Sequence, residues 1–293
     1  MIPPPFDYYA PSTLREAIEL LEKFGDDAKI LAGGQSLIPM MKLRIVEPKI
    51  VIDLNKISGL SYIKEEDGFL KIGALTRYYQ VEESDLVRRR YPLLYEAVIQ
   101  IADPVVRNMG TVGGNVCHSD PANDLPAVML AYNAEMLVEG PQGERVIKAQ
   151  EFFQGPYQTA LQRSEILKEI RIPAAKPRSG GSYLKLERRA GDFAIAGSAV
   201  QVVLDSNDRF EYVGIGLTSL GPSAIKVSEA EKLLIGRSVS DMDAINQAAE
   251  IAYKVSEPVS DIRGPDWYKR EMAKVLTRRG ILKAVERARS FTG

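Results

Sequence analysis

Leu31-Ala32-Gly33-Gly34-Gln35-Ser36-Leu37 and Arg107-Asn108-Met109-Gly110-Thr111-Val112-Gly113-Gly114-Asn115 decide how this chain is read. Paired glycines let backbone N–H groups come close to a ligand and cradle a phosphate. Neither stretch is G-x-G-x-x-G, and neither is a Walker loop with its Lys. Each alone reads equally well as a tight turn at a strand end. Two of them, 80 residues apart from Gly33 to Gly113, suit a clamp that closes on one pyrophosphate from two sides. Together they point to a dinucleotide site.

Working outward, Thr13-x-x-Glu16 fits a capping box, and Leu14, Ala17, Ile18 and Leu21 share one helical face. A strand over residues 28–31 runs into the first turn, and another follows at 50–54. The first 55 residues therefore read as a βαβ-type unit with the turn at a strand's carboxyl end, where open α/β sheets bind ligands. A hairpin is predicted around Asp67-Gly68 and a second around Pro141-Gln142-Gly143. Helical stretches lie between them, on both sides of the second glycine turn. Residues 165–172 read as a strand and 174–181 as a linker rich in Pro, Gly and small residues. Beyond it come strand-like runs at 182–187, 194–204 and 210–217. Helices follow, one with Met242, Ile245, Ala248, Ala249 and Ala252 on one face, and a last one starting near Pro265-Asp266. The expected fold class is α+β, in three parts. A small α/β lobe (1–55) and a larger α+β lobe (56–176) form a two-lobed binding domain, and a C-terminal antiparallel sheet with helices (177–293) follows.

Composition narrows the function. With 293 residues and 45% hydrophobic content, the chain can build two or three modest cores. Its 38 Lys+Arg balance 39 Asp+Glu, which argues against nucleic acid or a membrane surface as the main partner. Arg88-Arg89-Arg90 reads as a solvated helix end. No apolar run has transmembrane length and no signal-peptide pattern opens the chain, so a cytoplasmic protein is expected. The single Cys and single His are adjacent, Cys117-His118. They cannot supply the four ligands of structural zinc or of an iron–sulfur cluster, so no metal site is expected. As neighbours in an extended segment they would point to opposite faces, and they read as incidental to a loop after Gly113-Gly114. Any redox chemistry must come from a bound organic cofactor.

Three runs carry a family likeness: 31–39, 101–115 and Asp120-Pro121-Ala122-Asn123-Asp124-Leu125-Pro126. Over essentially its whole length the chain resembles the FAD-binding medium subunits of molybdenum hydroxylases. That family includes medium subunits of carbon monoxide dehydrogenases and aldehyde oxidoreductases, and the flavin domain of xanthine dehydrogenase. The resemblance implies FAD as cofactor. Ala32, Gly33, Gly34, Gln35, Ser36 and Leu37 would take the pyrophosphate side, and Thr111, Gly113, Gly114 and Asn115 would close from the other lobe. Asp124 and Leu167 match cofactor contacts, Ile101 an apolar position beside the flavin ring, and Lys185 a flavin-contacting Lys. Phe193 matches an aromatic that covers the ring in some members. Read without the resemblance, Asp124 is equally a helix cap, Lys185 an outward strand residue, and Ile101, Leu167 and Phe193 core residues.

The resemblance further implies a heterotrimer, as a dimer of heterotrimers. A small subunit carries [2Fe-2S] clusters, and a large subunit carries the molybdenum cofactor and oxidises an aldehyde, or else CO or an N-heterocycle. This chain would be the electron-transfer subunit and needs no catalytic base or nucleophile. Two other readings stand beside it: a self-sufficient flavin oxidoreductase of the same superfamily, and a non-enzymatic nucleotide-binding protein. The chain departs from the family in having Cys117-His118-Ser119 where smaller residues are usual. It also lacks the cysteines for the extra cluster some members carry.

Overall fold

A computed structural model describes residues 2–292. The first lobe comprises β1 (Asp7–Tyr9), α1 (Leu14–Phe24), β2 (Ala28–Leu31), α2 (Leu37–Lys42) and β3 (Ile50–Asp53). Its three strands are parallel, in the order β1-β3-β2, as a βαβ-type unit requires. Thr13 Oγ1 accepts the Glu16 N–H at 3.2 Å, capping α1. The Glu16 carboxylate reaches back to the Ser12 N–H at 2.8 Å, one residue earlier than in a standard capping box. Ala17, Ile18 and Leu21 are buried against Ile50, Ile52 and Leu54. Leu75 and Ile166 of the second lobe join that core, so the two lobes share apolar packing.

The second lobe begins with β4 (Ile63–Glu66) and β5 (Phe69–Gly73), joined through Asp67-Gly68. Five helices follow: α3 (Tyr78–Glu83), α4 (Asp85–Arg90), α5 (Pro92–Ile99), α6 (Pro104–Met109) and α7 (Val112–His118). Then come α8 (Asp124–Tyr132), β6 (Glu135–Gly140), β7 (Gly143–Lys148), α9 (Ala149–Phe152), a small hairpin β8 (Phe153–Gly155) and β9 (Gln158–Thr159), and β10 (Ile166–Pro173). The main sheet is antiparallel, ordered β4-β5-β10-β6-β7. Every residue of α8 is buried, because this helix lies between the second lobe and the C-terminal sheet. Burying each large apolar side chain there contributes about 1.5–3 kcal/mol.

The C-terminal part has β11 (Ser179–Leu186), β12 (Ala196–Leu204), β13 (Phe210–Thr218) and β14 (Ile225–Lys226) in sequential antiparallel order. Helices α10 (Ser228–Leu234), α11 (Met242–Val255) and α12 (Asp266–Ser290) complete it. Val200, Leu217, Ile245, Ala273 and Ile281 belong to its core. The linker is shorter than expected, since Ser179, Gly180 and Gly181 already pair with Val203, Val202 and Gln201. Arg90 is not a free solvated end. It pairs with Glu65 at 2.8 Å and donates to the Ala175 carbonyl at 3.2 Å, which ties α4 to the sheet and the linker. Among the described residues no helix is long and apolar enough to cross a membrane.

Candidate cofactor site

The first turn leaves β2 after Leu31, which is in register with Asp53 of β3, and enters α2 at Leu37. Gly34 adopts φ +73°, a conformation that favours glycine. Among the described residues, the N–H groups of Gly33, Gly34, Gln35, Ser36 and Leu37 donate to no protein acceptor. Five successive unused donors are the groups that an anion-binding loop of oriented amides requires. The turn's own carbonyls are held in place: Asn55 Nδ2 donates to Ala32 O at 2.9 Å and Gln35 Nε2 to Gly33 O at 3.2 Å.

The second turn is built differently. Asp103 caps α6 through the Val106 N–H, and Thr111 caps α7 through the Gly114 N–H at 3.1 Å. The Gly113 N–H donates to Ala74 O at 2.9 Å and the Val112 N–H to Thr76 O at 2.9 Å. Its amides are therefore spent inside the protein, and its glycines serve close approach. A Cβ on Gly113 would lie 2.6 Å from Ala74. The two turns touch at Gly33, which abuts the backbone of Met109 and Gly110. Arg77 fastens this junction by donating to Met109 O and Asn55 Oδ1.

Between the lobes lies a cleft of about 510 Å³, a size typical of ligand sites. Ala32, Gly33, Gly34, Gln35, Ser36, Leu37, Thr111, Gly113, Gly114, Asn115 and Leu167 line it. Ile101, Asp124 and Lys185 do not. The structure instead pairs Asp124 of α8 with Lys185 of β11 in the interior, and Lys185 also reaches the Gln100 carbonyl just past α5, next to the buried Ile101. The Lys185 side chain is 1% exposed. Its Nζ donates to Gln100 O at 3.0 Å and Asp124 Oδ2 at 3.2 Å, and lies 3.4 Å from Glu187. Tyr183 donates its hydroxyl to the other oxygen of Asp124. Burial pushes the Asp124 carboxyl up from its ordinary value, and Lys185 opposes that rise. Ile101 is buried beside Gln100, and Phe193 is 46% exposed, with Arg263 over its ring.

The expectation that Cys117 and His118 sit in an extended loop is corrected. Both belong to the last turn of α7, which Ser119 ends in a left-handed conformation, φ +50°. The Thr111 cap and the Gly113–Ala74 bond pin the first helical turn, overriding the poor helix propensity of the glycine pair. Cys117 and His118 both line the cleft. Burial raises the Cys117 thiol to about 12, which leaves it protonated and unreactive at neutral pH. Tyr78, Tyr157 and Leu161 also line the cleft, and no sequence signal marked them. Their side chains reach it from separate elements. Among the described residues no group of three or more His, Cys, Asp or Glu side chains is placed to hold a metal.

The cleft fits a dinucleotide on two observations. One is the row of unused amides facing a phosphate's chemistry. The other is Asn115 Oδ1, a buried acceptor with no partner among the described residues, which a sugar or ribityl hydroxyl would satisfy.

Comparison with known proteins gives this geometry a family. Residues 4–175 match the family described as FAD binding domain in molybdopterin dehydrogenase, and residues 181–284 the CO dehydrogenase flavoprotein C-terminal domain. The chain is 43% identical to the carbon monoxide dehydrogenase medium chain of Hydrogenophaga pseudoflava, across 96% of this chain and 97% of that protein. It is 38% identical to the glyceraldehyde dehydrogenase medium chain of Sulfolobus acidocaldarius, across 94% and 97%. The solved carbon monoxide dehydrogenase from Hydrogenophaga pseudoflava superposes with TM-score 0.95 at 44% identity, covering 98% of this chain and 99% of that one. Quinoline 2-oxidoreductase from Pseudomonas putida 86 superposes with TM-score 0.89 at 33% identity, covering 98% and 99%. Fold and cleft thus define an FAD-binding flavoprotein. The chain belongs to the medium-chain FAD subunits of the molybdenum hydroxylases, a family of oxidoreductase subunits.

Proposed function

We propose that this chain holds FAD between its lobes and acts as the electron-transfer subunit of a heterotrimeric molybdenum hydroxylase. It accepts electrons from [2Fe-2S] clusters of a small subunit and passes them to an external acceptor. A large molybdenum-cofactor subunit oxidises the substrate, an aldehyde or else CO or an N-heterocycle. The complex is a cytoplasmic dimer of heterotrimers. Residues 1–55 and 56–176 form the two FAD-binding lobes, and 177–293 form the C-terminal domain.

The observation that carries this reading is the row of five unused amides from Gly33 to Leu37, set against a second glycine turn. When bound, FAD supplies the redox chemistry. The amides of residues 33–37, with Ala32, hold the pyrophosphate. Thr111, Gly113, Gly114 and Asn115 wall it from the second lobe, and the Leu167 backbone adds a contact. Ile101 and the Asp124–Lys185 pair lie behind the cleft rather than in its lining, so they act on the cofactor only through the residues that line it. Relatives of 34–43% identity over nearly the full chain are named for carbon monoxide, glyceraldehyde, caffeine and nicotine. One FAD scaffold serving such different substrates supports placing substrate choice on another subunit.

Purification from the native host, with a visible spectrum and a gel of the co-purifying chains, tests the proposal. Flavin bands with iron–sulfur absorbance, one smaller and one larger companion chain, are the expected result. A lone yellow chain fully active on a substrate would overturn it.

A further inference from the structure

Tyr157 is out of place by every local rule. Gly155 and Gln158 pair across the β8–β9 hairpin, so Pro156-Tyr157 is its two-residue tip. Pro156 fixes its own φ near −65°, and Tyr157 takes φ +58°, a position where turns of this shape use Gly or Asn. A bulky aromatic in the left-handed region is a genuine outlier. Core packing does not account for it, because Tyr157 is 57% exposed.

What surrounds Tyr157 fixes its ring in one place. Its N–H donates to the carbonyl of Ser119, itself left-handed. Ser119 Oγ lies 3.4 and 3.3 Å from the Gly155 and Gln158 carbonyls. The Tyr157 hydroxyl donates to Asp120 Oδ2 at 3.2 Å. Its ring leans on the His118 imidazole, with centroids 5.2 Å apart. Two left-handed residues and a clipped hairpin thus hold one half-bare aromatic plane, and both Tyr157 and His118 line the interlobe cleft.

We propose that the Tyr157 ring, braced by His118 and Asp120, is a stacking platform for a planar heteroaromatic ring of the bound dinucleotide. This rests on the reading that FAD occupies the cleft. The two ring systems of FAD, adenine and isoalloxazine, share the π-face that stacking requires, and fragment binding tells them apart.

The test uses the full-length chain stripped of cofactor and titrated with FAD, FMN and ADP, in the wild type, Tyr157→Gly and Tyr157→Phe. The glycine variant deletes the ring but suits the left-handed turn, so its apo form should melt no lower than the wild type. Loss of a stacking partner weakens binding by about tenfold or more. Tyr157→Gly is expected to lose FAD affinity by that factor, while Tyr157→Phe stays within about twofold of wild type. A parallel loss for ADP assigns adenine to the platform, and a parallel loss for FMN assigns the flavin. Unchanged FAD affinity in a folded Tyr157→Gly, or an equal loss in Tyr157→Phe, overturns the platform while leaving the cofactor site standing. A wild-type chain that takes up no FAD overturns the site and the platform together.

Discussion

Gly33 and Met109 are in backbone contact across the lobe junction: a Cβ on Gly33 would lie 2.5 Å from the Met109 carbonyl oxygen and 2.8 Å from Gly110 Cα. Neither atom belongs to a flexible side chain, so relief requires the lobes to separate. Gly33→Ala should cost about 1–3 kcal/mol of stability and reduce the FAD retained on purification. Gly59→Ala is the control. Gly59 has φ +82° but open space around it, so it should lose only the backbone strain, about 1 kcal/mol, and keep its FAD. Denaturant unfolding with flavin quantitation checks both. Equal losses and equal flavin in the two variants would refute the junction's role.

Lys185 is the only cation in contact with Asp124 among the described residues. Lys185→Met leaves that carboxylate buried with the Tyr183 hydroxyl alone, at a cost of about 3–5 kcal/mol near neutral pH. The pH dependence follows from the direction of the Asp124 shift. Its folded pKa is raised above the ordinary 3.8, so between those values the folded state binds more protons than the unfolded. Stability therefore rises as pH falls through that window. Without Lys185 the rise should be larger, and the variant's deficit should shrink from pH 7 to pH 5 in urea titrations. A deficit that is constant across that range would mean the pair is not electrostatically coupled.

Local chemistry made much of this fold legible. Asp67-Gly68 and Pro141-Gln142-Gly143 sit in the two expected hairpins, and the amphipathic face of α1 is buried as its spacing requires. The first turn alone was ambiguous, because a glycine pair after a β-strand suits a plain tight turn as well as a ligand loop, and only the second glycine turn gave it a direction. The cluster of Asp124, Tyr183 and Lys185 was not readable from residues alone, since its members meet only when α8 and β11 converge. Tyr157 was hidden for a stronger reason. The turn rules argue against an aromatic at its position, and tertiary contacts with His118, Ser119 and Asp120 hold it there. Helix α7 misled because glycine propensity was outweighed by the Ala74 and Thr111 anchors.

His118 gives the apo chain an acid-side sensitivity. Burial lowers its pKa below the ordinary 6.5, with Asp120, 4.0 Å away, pulling the other way. The unfolded state then binds the extra proton first. Stability is fully present above pH 6.5 and falls as pH drops toward the folded value, at no more than about 1.4 kcal/mol per pH unit. His118→Gln should flatten the profile between pH 6.5 and 5 in chemical denaturation of the apo chain. Parallel profiles for the two proteins would rule out this contribution.

Glu96 joins the binding domain to the C-terminal helix. Its Oε1 accepts Lys283 Nζ at 2.7 Å and Arg287 Nη2 at 2.6 Å, and its Oε2 accepts the Tyr183 N–H at 2.9 Å. Burial pushes its pKa up, but Arg287, Lys283 and the Tyr183 amide outweigh this and hold it below the ordinary 4.5. A depressed carboxyl contributes stability above its unfolded pKa and loses it as pH falls through the folded value. Glu96→Gln should therefore cost about 3 kcal/mol at pH 7, with the gap to wild type closing below pH 4.5. Tyr183 gives its N–H to Glu96 and its hydroxyl to Asp124, so the two buried clusters share one residue. Glu96→Gln and Lys185→Met should then fail to add, with an interaction energy of about 0.5–3 kcal/mol in a double-mutant cycle. Strict additivity would show that Tyr183 does not transmit strain between the domain junction and the buried Asp124–Lys185 pair.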